Sequence, residues 1–389
     1  MENEYRACLE EIMDSANTGL DAIKRAPIVD YNSGIRCLRI QDISQKKEFS
    51  NWGYCKVENR NYEKFQLKRN DIIIARTGAT IGVNRFISNN LTAVYNNGLI
   101  RLRINEKVAY PKYVYYCMQT QRYRDFINSI CAGTSTQPNM KINAFLEFDI
   151  YLPNISTQKS IVKILTALDE KVENNNQINC NLEQQAIAIY QQMFLDNPQS
   201  EWSYGVLSDI ANITMGQSPS GSSYNEDGIG TIFFQGRAEF GNRFPSVRLY
   251  TMEPKRMACK NDVLMSVRAP VGDINIAHED CCIGRGLGAI QSKYSHQSFV
   301  LYTMFSLKQQ LDVFNGEGTV FGSINRDSLN SMPIVIPTND KIDEFESIVA
   351  PMDAVIRNNY DEIYRLQQIR DILLTKLMSG ELDISDINI

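Results

Sequence analysis

Two long stretches of the chain repeat an apolar position at alternating steps of four and three residues. In the second stretch the repeat runs through Phe345, Val349, Met352, Ile356, Asn359, Ile363, Leu366, Arg370, Leu373 and Leu377. The first stretch follows it more loosely through Leu165, Leu168, Val172, Asn175, Leu182, Ala186, Ile189 and Met193. A repeat of about 3.5 residues keeps one helix face toward a partner helix. The pattern predicts two long helices that pair as a coiled coil.

The two stretches are copies of one sequence unit. Displacing the chain against itself by about 184 residues aligns Asp169 with Asp353 and Asn175 with Asn359, without a gap. A seam Asn lowers stability unless it pairs, and it favours one register of the two helices. The alternative is that each stretch is an ordinary amphipathic helix packed on its own domain.

Short apolar runs bounded by polar clusters predict strands in the first domain. They cover residues 35–40, 71–75, 81–87, 99–104 and 148–152. Pro111, suited to a first helical turn, predicts a helix from there to about Ile130. A polar loop then extends from Gly133 to Lys141, and residues 41–63 form a second polar stretch.

The chain from Glu201 to Pro337 repeats this order. The segment Leu207-Ser-Asp-Ile resembles Leu9-Glu-Glu-Ile, and in both domains an apolar strand leads through an arginine, Arg76 or Arg268, to a glycine. A helical run over residues 297–314 occupies the place of the helix in the first domain. The chain is therefore predicted to be an internal duplication in which each globular domain is followed by a long helix.

The predicted fold class is mixed α/β, with two similar α/β domains and two long helices that form an antiparallel intramolecular coiled coil. The predicted bounds are 1–153 and 199–337 for the domains, 154–198 and 338–380 for the helices, and 381–389 for a tail. Helices of this length would form a rod of roughly 50–60 Å. Two domains that far apart on DNA would lie between one and two helical turns from each other, at about 34 Å per turn.

Composition describes a globular protein, with 43% hydrophobic and 22% charged residues. No apolar run approaches the roughly 18 residues of a membrane span, and the N-terminus has no signal-peptide pattern. The nine cysteines lack a CxxC pair and only two histidines are present, so we expect no metal and reduced thiols in a cytoplasmic protein. Residues 1–155 hold 21 basic and 16 acidic side chains, which is a weak indication of a polyanionic partner.

The polar loops are rich in the side-chain types that could read DNA bases. Arg and Lys bind guanine, and Asn and Gln bind adenine, through paired hydrogen bonds in the major groove. A strand-embedded arginine more often has a structural or phosphate-positioning role. The candidate DNA-binding set is Gln41, Lys46, Lys47, Asn59, Arg60, Arg76, Thr134, Gln137, Lys141, Gln235, Arg237, Arg243, Arg268, Arg285, Ser323 and Asn325.

Several segments together resemble one known family. They are Pro153–Phe194, Pro337–Leu382 with its ending Leu-Leu-Thr-Lys-Leu-Met-Ser-Gly-Glu-Leu, Asn261-Asp-Val-Leu-Met-Ser-Val-Arg-Ala-Pro-Val-Gly-Asp, Trp202 with Leu207-Ser-Asp-Ile, and Gly216-Gln-Ser-Pro-Ser-Gly. Over essentially its full length the chain resembles a specificity subunit of a type I restriction-modification system. The first domain departs from the pattern because it has no clear match to Trp202 or to the Gly216-Gln-Ser-Pro opening.

The resemblance implies two target-recognition domains that each read half of a bipartite double-stranded DNA target, with the helices setting the spacer. It also implies two modification subunits docked on the helices, which use S-adenosylmethionine to methylate adenine N6, with or without restriction subunits that translocate and cleave. The chain itself is expected to bind no cofactor.

Catalytic signatures are missing from the sequence. It contains neither an Asn/Asp-Pro-Pro-aromatic tetrapeptide nor a GxxxxGK[ST] loop, and the glycine-rich segment at Gly284 is interpreted as a turn. The chain is predicted to be a binding module without catalytic activity of its own. The alternatives are a non-DNA adaptor that joins two protein partners and, more weakly, a self-sufficient nuclease.

Overall fold

A computed structural model describes residues 6–132, 139–316 and 322–384. The chain divides into two compact units. The first unit comprises Met1–Glu173 and Ile363–Ile389, and the second comprises Asn174–Glu362. Each unit therefore contains one globular domain and a portion of both long helices. The predicted domain bounds stay a prediction, because the units divide the chain within the helices.

The described residues of the first domain form ten short strands and six short helices. Its strands are β1 (Arg6–Cys8), β2 (Met13–Thr18), β3 (Ile28–Val29), β4 (Arg36–Leu38), β5 (Tyr54–Cys55), β6 (Ile72–Ala75), β7 (Asn84–Phe86), β8 (Ala93–Tyr95), β9 (Leu99–Ile104) and β10 (Asp149–Tyr151). Its helices are α1 (Leu9–Ile12), α2 (Ile40–Ser44), α3 (Asn59–Phe65), α4 (Pro111–Cys117), α5 (Gln121–Cys131) and α6 (Ile142–Leu146). The first long helix, α7 (Ile155–Tyr190), follows and ends in a π-helical turn, Gln191–Leu195.

The second domain repeats this arrangement. Its strands are β11 (Ser203–Val206), β12 (Ala211–Met215), β13 (Tyr224–Asn225), β14 (Thr231–Phe234), β15 (Leu249–Thr251), β16 (Met257–Ala258), β17 (Val263–Ser266), β18 (Ile274–Ile276), β19 (Cys281–Ile283), β20 (Leu287–Ser292) and β21 (Pro333–Ile336). Its helices are α8 (Leu207–Ile210), α9 (Gln297–Ser306), α10 (Lys308–Asp312) and α11 (Arg326–Asn330), and the second long helix is α12 (Asn339–Ser379).

Strand order confirms the duplication. One four-stranded sheet has the order β2-β9-β6-β7 in the first domain and β12-β20-β17-β18 in the second. The other sheet has the order β3-β5-β4-β8 in the first domain, and β13-β15-β14-β19-β16 in the second. In both domains this sheet contains one parallel pair, β4 with β8 and β14 with β19. The second domain thus adds only β16 to a shared topology.

The central strand of each domain is apolar on both faces because it separates two cores. In β6, Ile72 and Ile74 belong to the core that also contains the helices, whereas Ile73 and Ala75 face the core of the second sheet. Strand β17 divides its residues in the same way. Side chains alternate between faces along a strand, so a strand buried on both sides reads as a continuous hydrophobic run.

Within each unit the portions of α7 and α12 pack antiparallel, as predicted. In the second unit Asn175 contacts Glu362, whereas Tyr190, farther along α7, contacts Phe345, which lies earlier in α12. In the first unit Asp169 forms an ion pair with Arg370 at 3.0 Å.

The predicted seam positions are buried or half-buried in the helix pair. They are Leu165, Leu168, Val172, Asn175, Leu182 and Ile189 on α7, and Phe345, Met352, Ile356, Asn359, Ile363, Leu366 and Leu373 on α12. Both seam asparagines bond across the pair, Asn175 to Glu362 and Asn359 to Asn179, each at 2.8 Å.

Several predictions about single elements are wrong. The helix predicted over residues 111–130 is broken between α4 and α5, where Thr120 caps α5 by accepting from the amide of Tyr123. The run over residues 297–314 likewise breaks at Leu307. The polar stretch over residues 41–63 is not one loop, because it contains most of α2, all of β5 and the start of α3.

Candidate nucleic-acid interface

In the first domain, four strands end at one place. The segments that follow β2, β4, β6 and β8 begin at Gly19, Arg39, Arg76 and Asn96, and they are joined by backbone hydrogen bonds. We call this place the loop junction. Written from amide donor to carbonyl acceptor, the bonds run from Gly19 to Leu99 (3.2 Å), Leu20 to Tyr95 (2.9 Å), Asn96 to Leu38 (3.1 Å), Arg76 to Gly98 (2.9 Å) and Met140 to Arg76 (2.8 Å).

The second domain builds the same loop junction from the segments after β12, β14, β17 and β19. Its bonds run from Gly216 to Leu287 (2.9 Å), Gln217 to Ile283 (2.9 Å), Gly284 to Phe234 (2.8 Å), Val267 to Gly286 (2.9 Å) and Ile324 to Val267 (3.0 Å). Each bond has its counterpart in the first domain. The match locates Gly19 at the position of Gly216, so the first domain does contain the opening glycine that its sequence did not reveal.

A glycine is required at this opening position in both domains. A Cβ on Gly19 would lie 2.2 Å from the carbonyl oxygen of Tyr95, and one on Gly216 would lie 2.1 Å from that of Gly284. A side chain would therefore separate the first segment of the junction from the turn that it packs against. The close approach constrains only the glycine. Gly216-Gln-Ser-Pro in the second domain and Gly19-Leu in the first can therefore both form the opening segment of the loop junction.

The backbone match also corrects one prediction. Arg76 and Arg268 are not equivalent, because Thr77 forms the bridge to Asn139 that Arg268 forms to Ser323. Arg76 therefore occupies the position of Val267. An arginine one residue farther along projects differently from the chain, so the two junctions present different chemistry on one backbone frame.

Most candidate residues of the second domain lie at its loop junction. Gln235, Arg268, Arg285 and Ser323 are exposed there, and the side chains of Arg268 and Arg285 have no ion pair among the described residues. Arg237 is also exposed, but its guanidinium is paired with Asp273.

Asn325 lies beside this group at the start of α11. It caps that helix, since its amide oxygen accepts from Ser328 at 2.8 Å. Its amide nitrogen is therefore the group left for an outside partner.

The first domain presents a different set. Arg76 donates from Nε and Nη2 to Asn139 Oδ1, at 3.2 and 2.9 Å. Lys141 is exposed at the start of α6, and Gln41 is exposed on α2, next to the junction. Thr134 and Gln137 lie outside the described residues.

Four candidates lie apart from the junction. Lys46 is exposed and lines an open cleft of about 840 Å³ with Asp169 and Arg370, a surface of mixed charge. Lys47 approaches the buried Asp42 at 3.7 Å. Asn59 and Arg60 are exposed at the start of α3, and no described contact joins them to the junction. These positions stay predictions.

Arg243 is buried and has a structural role. Its side chain is 9% exposed and forms ion pairs with Glu183 on α7 and Asp353 on α12. Burial acts to lower the pKa of Arg243, but Asp353, Tyr302 and Glu183 outweigh it and the pKa is raised. The guanidinium is thus committed to the helices, and we exclude Arg243 from the proposed DNA surface.

Both domains are fixed to a long helix by the same pair of residues. Tyr116 of α4 donates to Asp169 of α7 at 2.7 Å, and Tyr302 of α9 donates to Asp353 of α12 at 2.9 Å. The two aspartates are the residues that align in the sequence repeat. Each aspartate also pairs with an arginine. Asp169 pairs with Arg370 of α12, and Asp353 pairs with Arg243 of the second domain.

Two chemical classes of site find no support in the described residues. No group of three or more Cys, His, Asp or Glu side chains there could hold a metal ion. None of the described helices is both long and apolar enough to cross a membrane.

Residues 32–184 and 199–368 match the family described as the type I restriction modification DNA specificity domain. The chain belongs to this family. It is a specificity subunit of a type I restriction-modification system, with two recognition domains. Specificity subunits are non-catalytic, in agreement with the missing signatures of the sequence.

Known relatives are similar to this chain over most of its length. This chain is 26% identical to the type I restriction enzyme MjaX specificity subunit assigned in Methanocaldococcus jannaschii, over 97% of this chain and 93% of that protein. It is 21% identical to the HindI specificity subunit of Haemophilus influenzae, over 85% and 91%. Its fold is similar to that of the type I S subunit from M. genitalium, with a TM-score of 0.64, 18% identity and coverage of 99% and 98%.

Sequence reasoning missed three junction residues. Asn97 and Ser218 lie on its turns, and Asn139 holds Arg76. The Gly98 that follows Asn97 corresponds to the Gly286 that follows Arg285, and this Asn-Gly to Arg-Gly match was the available signal. It is too short to be found without the surrounding strands.

Proposed function

We propose that each recognition domain binds one half of a split double-stranded DNA target through its loop junction. The observation that carries this proposal is the construction of one backbone frame twice, with different polar side chains on each copy. A repeated frame suits a repeated ligand such as duplex DNA, and different side chains suit two half-sites of different sequence. The adaptor alternative gives no reason for this combination, and family membership favours the specificity subunit over it.

The rest of the proposed complex lies outside this chain. Two modification subunits would dock on the long helices, bind S-adenosylmethionine and methylate adenine N6 within the target. Restriction subunits would join them where the system also cleaves. The chain would supply recognition alone, in the cytoplasm, where the host DNA is accessible to it.

Mapping of DNA methylation tests this proposal directly. Deleting the coding sequence of this chain from its host should abolish N6-methyladenine at one split motif, and restoring the full chain should recover that motif. A host that lacks the modification partner but retains this chain is the matched control, and it should lose the same motif. Methylation that is unchanged in the deletion strain would contradict the proposal.

A further inference from the structure

We infer that one equivalent position, Asn97 in the first domain and Arg285 in the second, contacts a base and distinguishes the two half-sites. The inference rests on the proposed function, because it assumes that the loop junctions face DNA. It goes further by assigning a base type to a named residue in each domain.

The two residues occupy the same point of one rigid turn. On one side, the amides of Asn96 and Gly284 donate to the strand ends at Leu38 and Phe234, at 3.1 and 2.8 Å. On the other side, the carbonyls of Gly98 and Gly286 accept from Arg76 and Val267, both at 2.9 Å. Backbone hydrogen bonds therefore hold the turn from both sides in each domain.

The turn leaves one side chain to solvent. Asn97 and Arg285 are exposed, whereas the residues on either side of each are buried or half-buried. A Cβ on Gly286 would lie 3.0 Å from the carbonyl oxygen of Gln235, and one on Gly98 would lie 2.6 Å from Ile40 Cδ1. The glycine thus lets the turn pack against the neighbouring segment, while the residue before it projects outward.

The side chains of both residues are free of hydrogen bonds within the described part of the chain, whereas their backbone amides are hydrogen-bonded. The amide of Asn97 donates to Leu20 O at 2.8 Å, and the amide of Arg285 donates to Ser218 Oγ at 3.1 Å. Neither the Asn97 amide group nor the Arg285 guanidinium has a hydrogen bond within the described part of the chain. By contrast, the side chains of Arg39, Arg76 and Arg237 at the same junctions all bind neighbouring residues.

The residue types assign the bases. Arginine pairs with O6 and N7 of guanine, and asparagine pairs with N6 and N7 of adenine, each through two hydrogen bonds. A rigid backbone makes such pairs selective because the side chain cannot move to an alternative base without losing both bonds. We therefore expect Asn97 to require an A·T pair in the first half-site and Arg285 to require a G·C pair in the second.

Exchanging the two side chains tests the assignment. The full chain carrying Asn97→Arg or Arg285→Asn is expressed with its partner subunits, and methylation is mapped across the genome. Asn97→Arg should change or relax one A·T position of the first half-site, and Arg285→Asn one G·C position of the second. On duplexes that differ at that base pair, each variant should lose roughly ten- to a hundredfold of discrimination. The other half-site and the spacer should stay unchanged.

Matched controls use the same substitutions elsewhere in the same domain. Asn89→Arg lies in the exposed bend between β7 and β8, and Arg256→Asn removes an exposed arginine before β16. Both should leave the motif intact.

Three results would overturn the inference. They are an unchanged motif in both variants, an equal loss of affinity for all sequences as for a phosphate contact, and loss of all methylation while the complex stays assembled. In each case the proposed function survives if deletion of the chain still abolishes the motif. Only methylation that is independent of the chain removes both.

Discussion

Asp71 and Asp262 are equivalent residues in different electrostatic surroundings. Each precedes the central strand and accepts a backbone amide at 2.8 Å, from Lys68 and Cys259 respectively. Asp71 is also paired with Arg103 of β9 at 2.7 Å, whereas Gln291 of β20 takes the place of that arginine in the second domain. Burial therefore raises the pKa of Asp262 to about 6.

The same substitution should have opposite effects at these two positions. Asp262→Asn should increase stability at pH 7.5 by about 1–2 kcal/mol, because it removes a buried charge that the native state disfavours. Asp71→Asn should decrease stability by about 2 kcal/mol, because Arg103 loses its partner. Thermal unfolding of the two variants beside the unaltered chain measures both effects.

The pH dependence of stability tests the explanation given for Asp262→Asn. The pKa of Asp262 is raised from 3.8 to about 6 on folding, so the native state holds the proton more tightly than the unfolded chain. The contribution of Asp262 to stability should therefore fall as pH rises from about 4 to about 6, and Asp262→Asn should gain stability relative to the unaltered chain across this interval. An advantage of Asp262→Asn that does not grow across this interval would refute the explanation.

At the scale of elements, polar contacts around an apolar core attach the domains to the helices, and two aspartates collect several of these contacts. In the second unit the Asp353 carboxylate accepts hydrogen bonds from the side chains of Arg243, Tyr302 and Ser298. In the first unit the Asp169 carboxylate accepts hydrogen bonds from the side chains of Tyr116 and Arg370. A carboxylate with several donors fixes one orientation, because any shift of the domain would break more than one hydrogen bond.

Removing Arg243 should therefore destabilise the second unit. Arg243→Ala leaves the half-buried carboxylates of Glu183 and Asp353 without their cation, and we expect a loss of about 3 kcal/mol in the free energy of unfolding. Urea denaturation measures the loss. Arg256→Ala, which removes an exposed arginine of the same unit, should change stability by less than about 0.5 kcal/mol. Equal effects of the two substitutions would show that the contact with the helices contributes little.

At the scale of the whole molecule, duplication gives the chain two recognition domains of common topology. The domains diverge in the extra strand β16, in the helices α2 and α3 of the first domain and in the junction side chains. The predicted rod length and the spacing between half-sites stay predictions. The proposed binding mode depends on phosphate contacts from both domains, since sequence reading requires the protein to be held on the duplex.

Salt should therefore weaken binding steeply. If the assembled complex makes about six or more phosphate contacts, its affinity for a duplex with the split motif should fall about a thousandfold between roughly 50 and 200 mM salt. Fluorescence anisotropy with a labelled duplex follows this change. A scrambled duplex should show a similar slope with weaker binding, because counterion release does not depend on sequence. A flat salt dependence would be the behaviour of a protein adaptor.

The sequence by itself determined the long helices, their paired seam and the duplication, because a repeat of about 3.5 residues and an ungapped alignment are properties of the chain alone. Strands such as β9 and β6 were also predictable, since continuous apolar runs mark buried strands. Only the tertiary structure decided the burial of Arg243 and the equivalence of Asn97 with Arg285. Both depend on partners distant in sequence, and an arginine carries no local sign of whether it will meet solvent or two carboxylates.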